Sequence, residues 1–394
     1  MVPSEWKYST LESLCDDGAP ITYGVLKPGE YFDDGVPLLQ IKDLLTNLDD
    51  SSGIHKISAE LDHEYRRSKI LTNDILISLV GTVGRIAIVP RNLNNANIHR
   101  NIGRIRTKYF EFLVQYLSSD IAKNAIGMSS SGSSQSALNL SALRTLKVPV
   151  PPLPEQRKIA KILSTWDKAI STTESLIENK KQQKKALMQQ LLTGKKRLLS
   201  DSGERFEGEW KKVELGKLLE YKQPTPYLVK STDYSDEYET PVLTAGKTFV
   251  LGYTNENFGI YQHKLPAIIF DDFTTASKFV DFPFKAKSSA MKILTATDDV
   301  STKYIFEVMQ ILKYAVGGHQ RHWISIFSNL VIGIPSNDEQ RKIAAVLINT
   351  DKEIGILEQQ LADLRQEKKA LMQQLLTGKR RVQLEDSELE LQAS

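Results

Sequence analysis

The chain has 394 residues, 41% hydrophobic and 25% charged, and a formal net charge of +3. This length allows two or three domains, and the composition is typical of globular rather than disordered proteins. The single cysteine, Cys15, excludes a disulfide within the chain and suits a reducing compartment. The start lacks a signal pattern and no apolar stretch is long enough to span a bilayer, so we expect a cytoplasmic protein without a membrane partner.

Short strands are predicted for the first domain, residues 1–150. Apolar runs at Val36–Ile41, Ile75–Val80 and Arg85–Val89 are separated by turns rich in Gly, Asn and Ser. This pattern favours a β-rich domain with short connections.

A long amphipathic helix is predicted for residues 151–197. Pro154 fits the first helical turn, and Gly194, followed by basic residues, fits the carboxyl-terminal cap. Apolar residues at alternating spacings of four and three form a seam that is typical of paired helices. The seam consists of Ile159, Leu163, Trp166, Ile170, Leu187 and Leu191.

The second domain, residues 198–334, repeats the short-strand pattern. Its apolar runs lie at Val242–Thr244, Ala267–Phe270 and Leu330–Ile334. Several frame residues recur in both halves, whereas the loops between them differ. A shared frame with different loops predicts two domains that bind different targets.

A second long helix is predicted for residues 335–381, before an acidic tail at 382–394 that we expect to be mobile or lightly docked. Ser336 and Glu339 suggest a capping box at its start, and Gly378 marks its end. Its seam consists of Ile343, Leu347, Ile354, Leu371 and Leu375.

The two helical regions are copies of each other. Glu-Gln-Arg-Lys-Ile-Ala begins at Glu155 and again at Glu339, and Lys-Lys-Ala-Leu-Met-Gln-Gln-Leu-Leu-Thr-Gly-Lys begins at Lys184 and again at Lys368. Both offsets are 184 residues (339 − 155 and 368 − 184), so no insertion separates the motifs. We predict an α+β fold of two pseudo-symmetric α/β domains separated by two long antiparallel helices that form a coiled-coil pair. The alternative is that each helix packs only on its own domain.

Local charge favours a polyanionic partner. Acidic residues are absent from Ile75–Phe110, from Ile121–Pro154 and from Val308–Asn337, and each segment carries basic residues. Such segments suit nucleic acid, although a chance run on a solvated surface has the same composition.

Motifs for catalysis or metal binding are not found. A phosphate-binding loop would need a glycine where Pro241 stands before Gly246-Lys247-Thr248. His319 and His322 lack the clustered spacing of a zinc site. We therefore predict no catalytic residue and no metal ligand.

The remaining polar signals suit recognition. Arg and Gln make bidentate contacts with bases, and Ser hydroxyl groups suit phosphates. The predicted DNA contacts are Thr82, Arg85, Arg91, Arg100, Arg104, Ser129, Ser131, Ser133 and Gln135 in the first domain, and Lys247, Thr274, Lys278, His319, Gln320, Arg321 and His322 in the second. Each of them could equally be an ordinary surface residue.

With these features in place, the chain resembles the DNA-specificity subunit of type I restriction–modification enzymes over nearly its whole length. The resemblance rests on Pro151–Ala160 with Pro335–Ala344, on Leu187–Gly194 with Leu371–Gly378, and on the Glu-Trp-Lys openings at Glu5 and Glu209.

The resemblance implies that each domain recognises half of a split site in double-stranded DNA, while the helix pair sets the spacer. It also implies two modification subunits that bind S-adenosylmethionine and methylate adenine N6. Restriction (translocase) subunits would use ATP and Mg. The cofactors would thus lie on the partners. The alternatives are a coiled-coil scaffold or adaptor without DNA binding, and a nuclease or methyltransferase whose site the sequence does not reveal.

Overall fold

The computed structural model describes residues 3–46, 48–129, 137–244, 246, 248–312 and 322–384. Two compact units make up the chain. Unit 1 is Met1–Thr173 with Gln360–Ser394, and unit 2 is Glu174–Gln359. The division between them falls inside both long helices, whereas the predicted domain boundaries set each helix apart from its domain.

Unit 1 contains short strands and short helices of its own. The strands are β1 (Lys7–Thr10), β2 (Thr22–Tyr23), β3 (Val36–Leu39), β4 (Lys56–Ile57), β5 (Ile75–Ser78), β6 (Ile86–Ile88), β7 (Asn97–Ile98), β8 (Ile102–Ile105) and β9 (Lys147–Val150). The short helices are α1 (Ala59–Glu64), α2 (Phe110–Ser118), α3 (Asp120–Ser129) and α4 (Leu140–Thr145).

One long helix follows each of the two strand-rich regions, and unit 2 repeats the strand pattern of unit 1. The long helices are α5 (Leu153–Leu191) and α9 (Asn337–Leu375), each of 39 residues. Unit 2 contains β10 (Lys211–Glu214), β11 (Leu219–Lys222), β12 (Thr240–Leu243), β13 (Val250–Thr254), β14 (Ala267–Asp271), β15 (Ser277–Val280), β16 (Lys285–Ala286), β17 (Met291–Ala296) and β18 (Val331–Ile334), with α6 (Leu215–Leu218), α7 (Thr302–Ile311) and α8 (His322–Ser325).

The sheets have the same topology in both units. Unit 1 has a four-stranded sheet in the order β2-β8-β5-β6, a three-stranded sheet β4-β3-β7 and a ribbon β1-β9. Unit 2 has the same three sheets in the corresponding orders β11-β17-β14-β15, β13-β12-β16 and β10-β18. In each three-stranded sheet one neighbour is antiparallel and the other parallel. The sheets therefore confirm the predicted duplication.

A central strand buried on both faces explains the continuous apolar runs in the sequence. In β5, Ile75 and Ile77 pack on the helix side, whereas Leu76 packs between the two sheets. In β14, Ile268 and Phe270 pack with helices and Ile269 packs between the sheets. Strand side chains alternate between faces, so a run with two buried faces shows no polar alternation.

The long-helix segments pack in antiparallel pairs within each unit. In unit 1, Ile159 and Leu163 of α5 share a buried cluster with Leu375 of α9. In unit 2, Leu191 of α5 shares a buried cluster with Ile343 and Leu347 of α9. These contacts confirm the predicted pairing and give seam residues a place in the core of each unit.

Ion pairs between equivalent residues set the register of each pair of helix segments. Lys368 forms an ion pair with Asp167 in unit 1. Lys184 Nζ lies 2.6 Å from Asp351 Oδ1 in unit 2. The two aspartates are 184 residues apart in the sequence (351 − 167), as are the two lysines. These ion pairs explain why polar residues interrupt the two apolar seams at equivalent positions.

The helix ends match the predicted caps with one correction. Gly194 and Gly378 have φ of 71° and 70°, the left-handed conformation that glycine adopts without strain. Ser336 Oγ accepts the Glu339 amide at 3.4 Å, which is half of the predicted capping box. The Glu339 carboxylate does not complete the box, because it binds Arg197 instead.

Candidate nucleic-acid interface

The turn after β5 presents Thr82 at the surface of unit 1. Gly81 and Gly84 have φ of 76° and 81°, so both positions require glycine-like freedom. Ser78 Oγ donates a hydrogen bond to the Thr82 carbonyl. The same oxygen accepts a hydrogen bond from the Arg85 amide at 2.9 Å. Thr82 is exposed and Arg85 is half-buried. Ser78, which the sequence analysis did not single out, therefore fixes the turn that carries both candidates.

The same turn is bound to the segment that leads into α4. Val80 and Ala137 form an isolated antiparallel β-bridge, and the Leu138 amide donates a hydrogen bond to the Leu79 carbonyl at 2.6 Å. Ser131, Ser133 and Gln135 lie outside the described residues. Ser129 is the last residue of α3.

The equivalent turn of unit 2 has a different construction. Asp271 Oδ1 accepts the Phe273 amide at 2.8 Å, and Thr275 has a φ of 61°. Thr274 and Lys278 are exposed, and Phe273 is 59% exposed. The two turns therefore occupy equivalent positions in the topology but offer different side chains.

Asp272 binds the start of α8 to this turn. Its carbonyl lies 2.8 Å from His322 Nδ1, and its Oδ1 accepts the Trp323 amide at 2.9 Å. His322 is only 1% exposed, so its ring organises the turn rather than facing a ligand. Lys292 Nζ lies 3.7 Å from the other Asp272 oxygen and compensates its charge. Lys247, His319, Gln320 and Arg321 lie outside the described residues.

The remaining arginine candidates of unit 1 differ in exposure. Arg91 and Arg100 are exposed, whereas Arg104 is 4% exposed. Arg104 donates to the carbonyl oxygen of Pro20 at 3.0 Å and more weakly to that of Lys69 at 3.4 Å. Burial, and then the neighbouring Arg106 guanidinium, lower the pKa of Arg104 below its ordinary value.

The repeated Glu-Gln-Arg-Lys-Ile-Ala motif builds the start of each long helix. Gln156 Nε2 donates to the Pro151 carbonyl at 2.9 Å, and Gln340 Nε2 donates to the Pro335 carbonyl at 3.0 Å. The isoleucine and alanine of each copy are buried in their unit. The arginine of each copy is exposed, so the fold does not require it.

Each helix start lines a surface pocket together with a short helix of the same unit. In unit 1 the pocket includes Glu111 of α2 and Arg157 of α5. In unit 2 it includes Lys303 of α7 and Arg341 of α9. Arg157 and Arg341 are 184 residues apart (341 − 157). The duplication therefore produces the same exposed arginine beside a pocket twice.

The predicted seam residues are placed unequally. Ile159, Leu163, Leu191, Ile343, Leu347, Ile354 and Leu375 are buried, whereas Trp166, Ile170, Leu187 and Leu371 are half-buried. Within the ranges that the structure describes, no group of three or more His, Cys, Asp or Glu residues could hold a metal ion. In the same ranges, none of the helices has the length and apolar character needed to cross a bilayer.

Comparison with known proteins gives consistent matches. The profile of the type I restriction modification DNA specificity domain matches residues 3–182 and again residues 207–366. The EcoR124I/EcoR124II specificity subunit of Escherichia coli is 56% identical over 145 residues, which are 36% of this chain and 35% of that relative. The chain thus aligns with only about a third of that protein.

Two further proteins align over almost their full length. The putative type I restriction enzyme MjaX specificity subunit of Methanocaldococcus jannaschii is 25% identical over 415 residues, which cover 97% of this chain and 95% of the relative. The crystal structure of the S subunit of a type I restriction–modification system from M. genitalium covers 96% of this chain and 97% of its own, with a TM-score of 0.60 and 15% identity. The latter shows that the fold is shared.

Proposed function

Because the chain belongs to the type I restriction–modification DNA specificity family, we propose that it binds a split site in double-stranded DNA and positions modification subunits on it. Each unit would contact one segment of the site. The predicted domains, residues 1–150 and 198–334, would be the target-recognition domains. Residues 151–197 and 335–381 would form the helix pair that sets the spacer.

One observation carries this proposal: two frames of identical sheet topology present different turns. The turn after β5 offers Thr82 and Arg85, whereas the turn after β14 offers Thr274 and Lys278. Side chains that differ on equal frames suit two different base sequences, since base edges are distinguished by their donor and acceptor patterns. Two linked binding modules also raise each other's effective concentration, so each contact can be weak.

The partners follow from the same duplication. A surface that occurs twice on one chain can bind two copies of one partner. Arg157 and Arg341, each beside its pocket, are the proposed docking points for two modification subunits. These subunits would bind S-adenosylmethionine and methylate adenine N6. Restriction subunits, where present, would contribute ATP-dependent translocation and Mg-dependent cleavage, and this chain would remain non-catalytic.

Sequencing of N6-methyladenine in cells that express the chain with its modification subunit tests the proposal. We expect one methylated motif made of two specified segments and a fixed unspecified gap. Arg85→Ala should change or abolish recognition of one segment only. Lys7→Ala, which removes an exposed side chain from β1, is the control and should leave the motif intact. A continuous motif would contradict the two-part site, and methylation by the chain alone would establish an enzyme.

The scaffold alternative makes the opposite prediction. A coiled-coil adaptor without a DNA role would bind its partners, and its assemblies would show no salt-dependent affinity for duplex DNA. Fluorescence anisotropy of the assembled complex on labelled duplexes distinguishes the two functions.

A further inference from the structure

Unit 1 contains a strongly cationic cleft that lies apart from the turn carrying Thr82. Its volume is about 850 Å³, and β2, β8, α4 and the segment after α1 form its walls. Among the lining residues Glu64 is the one carboxylate. Six basic residues line it: Arg66, Arg67, Lys69, Arg104, Arg106 and Arg144.

Three of these cations already have carboxylate partners. Arg106 makes a bidentate contact with Asp74, in which Nε and one terminal nitrogen each lie 2.8 Å from a carboxylate oxygen. Lys69 Nζ lies 2.6 Å from Asp62. Arg144 Nε lies 3.4 Å from Glu12. The remaining cations therefore determine what the cleft can bind.

Arg104 is a buried cation that forms no ion pair with a described residue, although Asp74 lies near enough to act on its charge. Within the described residues it contacts no carboxylate, and its guanidinium donates only to two carbonyl oxygens. Its buried Nε has no hydrogen-bond partner among the described residues. A buried charge without an ion-pair partner is costly, and a bound anion would reduce that cost. A guanidinium also matches the geometry of a phosphate better than an ammonium does.

Buried hydrogen bonds hold the rim of the cleft in a fixed conformation. Ser68 Oγ donates to Asn97 Oδ1 at 2.7 Å, and Asn97 Nδ2 donates to Asp62 Oδ1 at 3.2 Å. Asn97 and Ser68 are almost completely buried. This network fixes the helical turn Arg66–Ser68, whose two arginines are exposed and have no carboxylate partner among the described residues.

Unit 2 lacks the central cation of this cleft. Arg104 lies opposite Leu76 of β5, and the residue opposite the equivalent Ile269 of β14 is Ile293. Ile293 is completely buried in an apolar cluster. The arginine at the base of the cleft is therefore replaced by an apolar residue at the equivalent position of unit 2, which argues against a general requirement of the fold for this arginine.

We propose that the cleft binds a phosphate group, with Arg104 at its base and Arg66 and Arg67 at its rim, and that this phosphate belongs to the backbone of the DNA that unit 1 recognises. The source of the phosphate rests on the proposed function, whereas the anion site rests on the contacts above. A phosphate contact adds affinity for every sequence and orients the unit for its base contacts.

The test uses Arg66→Ala/Arg67→Ala, because both side chains are exposed and their loss leaves the network of Asn97 intact. The matched control is Lys7→Ala/Lys147→Ala, which removes two exposed positive charges from the ribbon of the same unit. Each full-length chain is assembled with its modification subunits, and anisotropy is measured on cognate and unrelated duplexes over a series of KCl concentrations.

We expect the arginine variant to lose about tenfold in affinity on both duplexes, with a salt slope smaller by about 0.9 for the one phosphate contact. The lysine control should stay within about twofold of wild type, since no phosphate contact is removed. An unchanged slope in the arginine variant would overturn the proposal. So would a loss confined to cognate DNA, which would identify base contacts.

Inorganic phosphate, titrated calorimetrically into the full chain, separates the possible sources. Weak binding that the arginine variant loses, together with the change in DNA affinity, supports a backbone contact. Phosphate binding with unaltered DNA affinity would make the cleft a free-anion site and overturn the proposal. If the wild-type complex binds no duplex, the proposed function fails, whatever the variants do.

Discussion

Single residues carry much of the charge balance inside each unit. Lys285 is completely buried in unit 2, where its Nζ lies 2.9 Å from Glu256 Oε2 and donates to the Phe258 carbonyl at 2.6 Å. Burial raises the pKa of Glu256, but the Ser231 amide, the Lys285 ammonium and the Lys230 amide outweigh burial and hold it below 4.5. The carboxylate is therefore stabilised by folding.

Glu256→Gln tests this balance through pH. Because the folded pKa of Glu256 is depressed, its stabilising contribution is present above pH 4.5 and is lost as pH falls through the folded pKa. We expect the variant to lose about 2 kcal/mol at pH 7, the scale of a hydrogen bond to a charged group. The difference in unfolding free energy between wild type and variant, measured in urea, should narrow as the pH falls below 4.5, and a difference that stays constant would contradict the assignment.

Residues whose roles depend on distant partners were the hardest to predict from sequence. His322 looked like a candidate ligand contact because its segment lacks acids, but Asp272, fifty residues away (322 − 272), packs against it. Arg66 and Arg67 gave no signal, since the cleft assembles from separate segments of the chain. Composition reveals charge, whereas exposure and pairing depend on the tertiary fold.

At the scale of elements, the sequence was more informative. The runs predicted as strands at Ile75–Val80 and Ala267–Phe270 correspond to β5 and β14, and the repeats marked both long helices. Periodicity and caps are local properties, so they are visible without the fold. From the sequence, the basic residues after Gly194 and Gly378 are expected to meet the negative ends of the helices, but their carboxylate partners could not be predicted.

In each unit, an ion pair joins the first turn of one long helix to the basic segment that follows the other long helix. A tryptophan just before the first strand of the same unit lies beside this pair. In unit 1, Glu155 accepts Arg381 Nε at 2.7 Å and Trp6 Nε1 at 3.0 Å. In unit 2, Glu339 accepts two guanidinium nitrogens of Arg197, at 2.6 and 2.7 Å, while the buried Trp210 Nε1 has no hydrogen-bond partner in the part of the chain that the structure describes. The hydrogen bonds to these carboxylates raise the pKa of both arginines.

This difference predicts unequal losses at equivalent positions. Arg197→Ala should cost about 3 kcal/mol, because Glu339 is left buried without a charged partner. Arg381→Ala should cost less, since Glu155 keeps the indole donor of Trp6. Lys181→Ala, whose pair with Glu358 is half exposed, should cost under about 1 kcal/mol. Thermal and urea unfolding of the three variants would measure this order, and equal losses for the two arginines would contradict it.

At the scale of the whole chain, duplication supplies the same surface twice. The helix starts are identical at Gln156 and Gln340 and at Arg157 and Arg341. The neighbouring short helices differ, with Glu111 in one pocket and Lys303 in the other. A partner that depends on the shared arginine should occupy both surfaces, although not with equal affinity.

Charge reversal at the two arginines predicts the number of bound partners. Arg157→Glu and Arg341→Glu should each weaken one docking event by about tenfold, so that native mass spectrometry of a stoichiometric mixture shows mainly one modification subunit per chain. The double variant should bind neither. Lys168→Glu/Lys352→Glu changes equivalent exposed positions further along the same helices and serves as the control. Two bound subunits in every variant would exclude these arginines as docking points.

The way the two turns are anchored affects how new specificities could arise. In unit 1 the chain returns beside its turn through a bond between two backbone groups, from the Leu138 amide to the Leu79 carbonyl. In unit 2 the equivalent backbone bond runs from the His322 amide to the Asp272 carbonyl at 3.3 Å, and the Asp272 side chain adds a bond to the Trp323 amide. A segment transplanted from a relative into unit 1 would need no particular side chain at its junction. A transplant into unit 2 would keep the backbone bond but would lose the side-chain bond to Trp323 unless it brought an acceptor, so unit 1 is the more permissive place for evolutionary exchange.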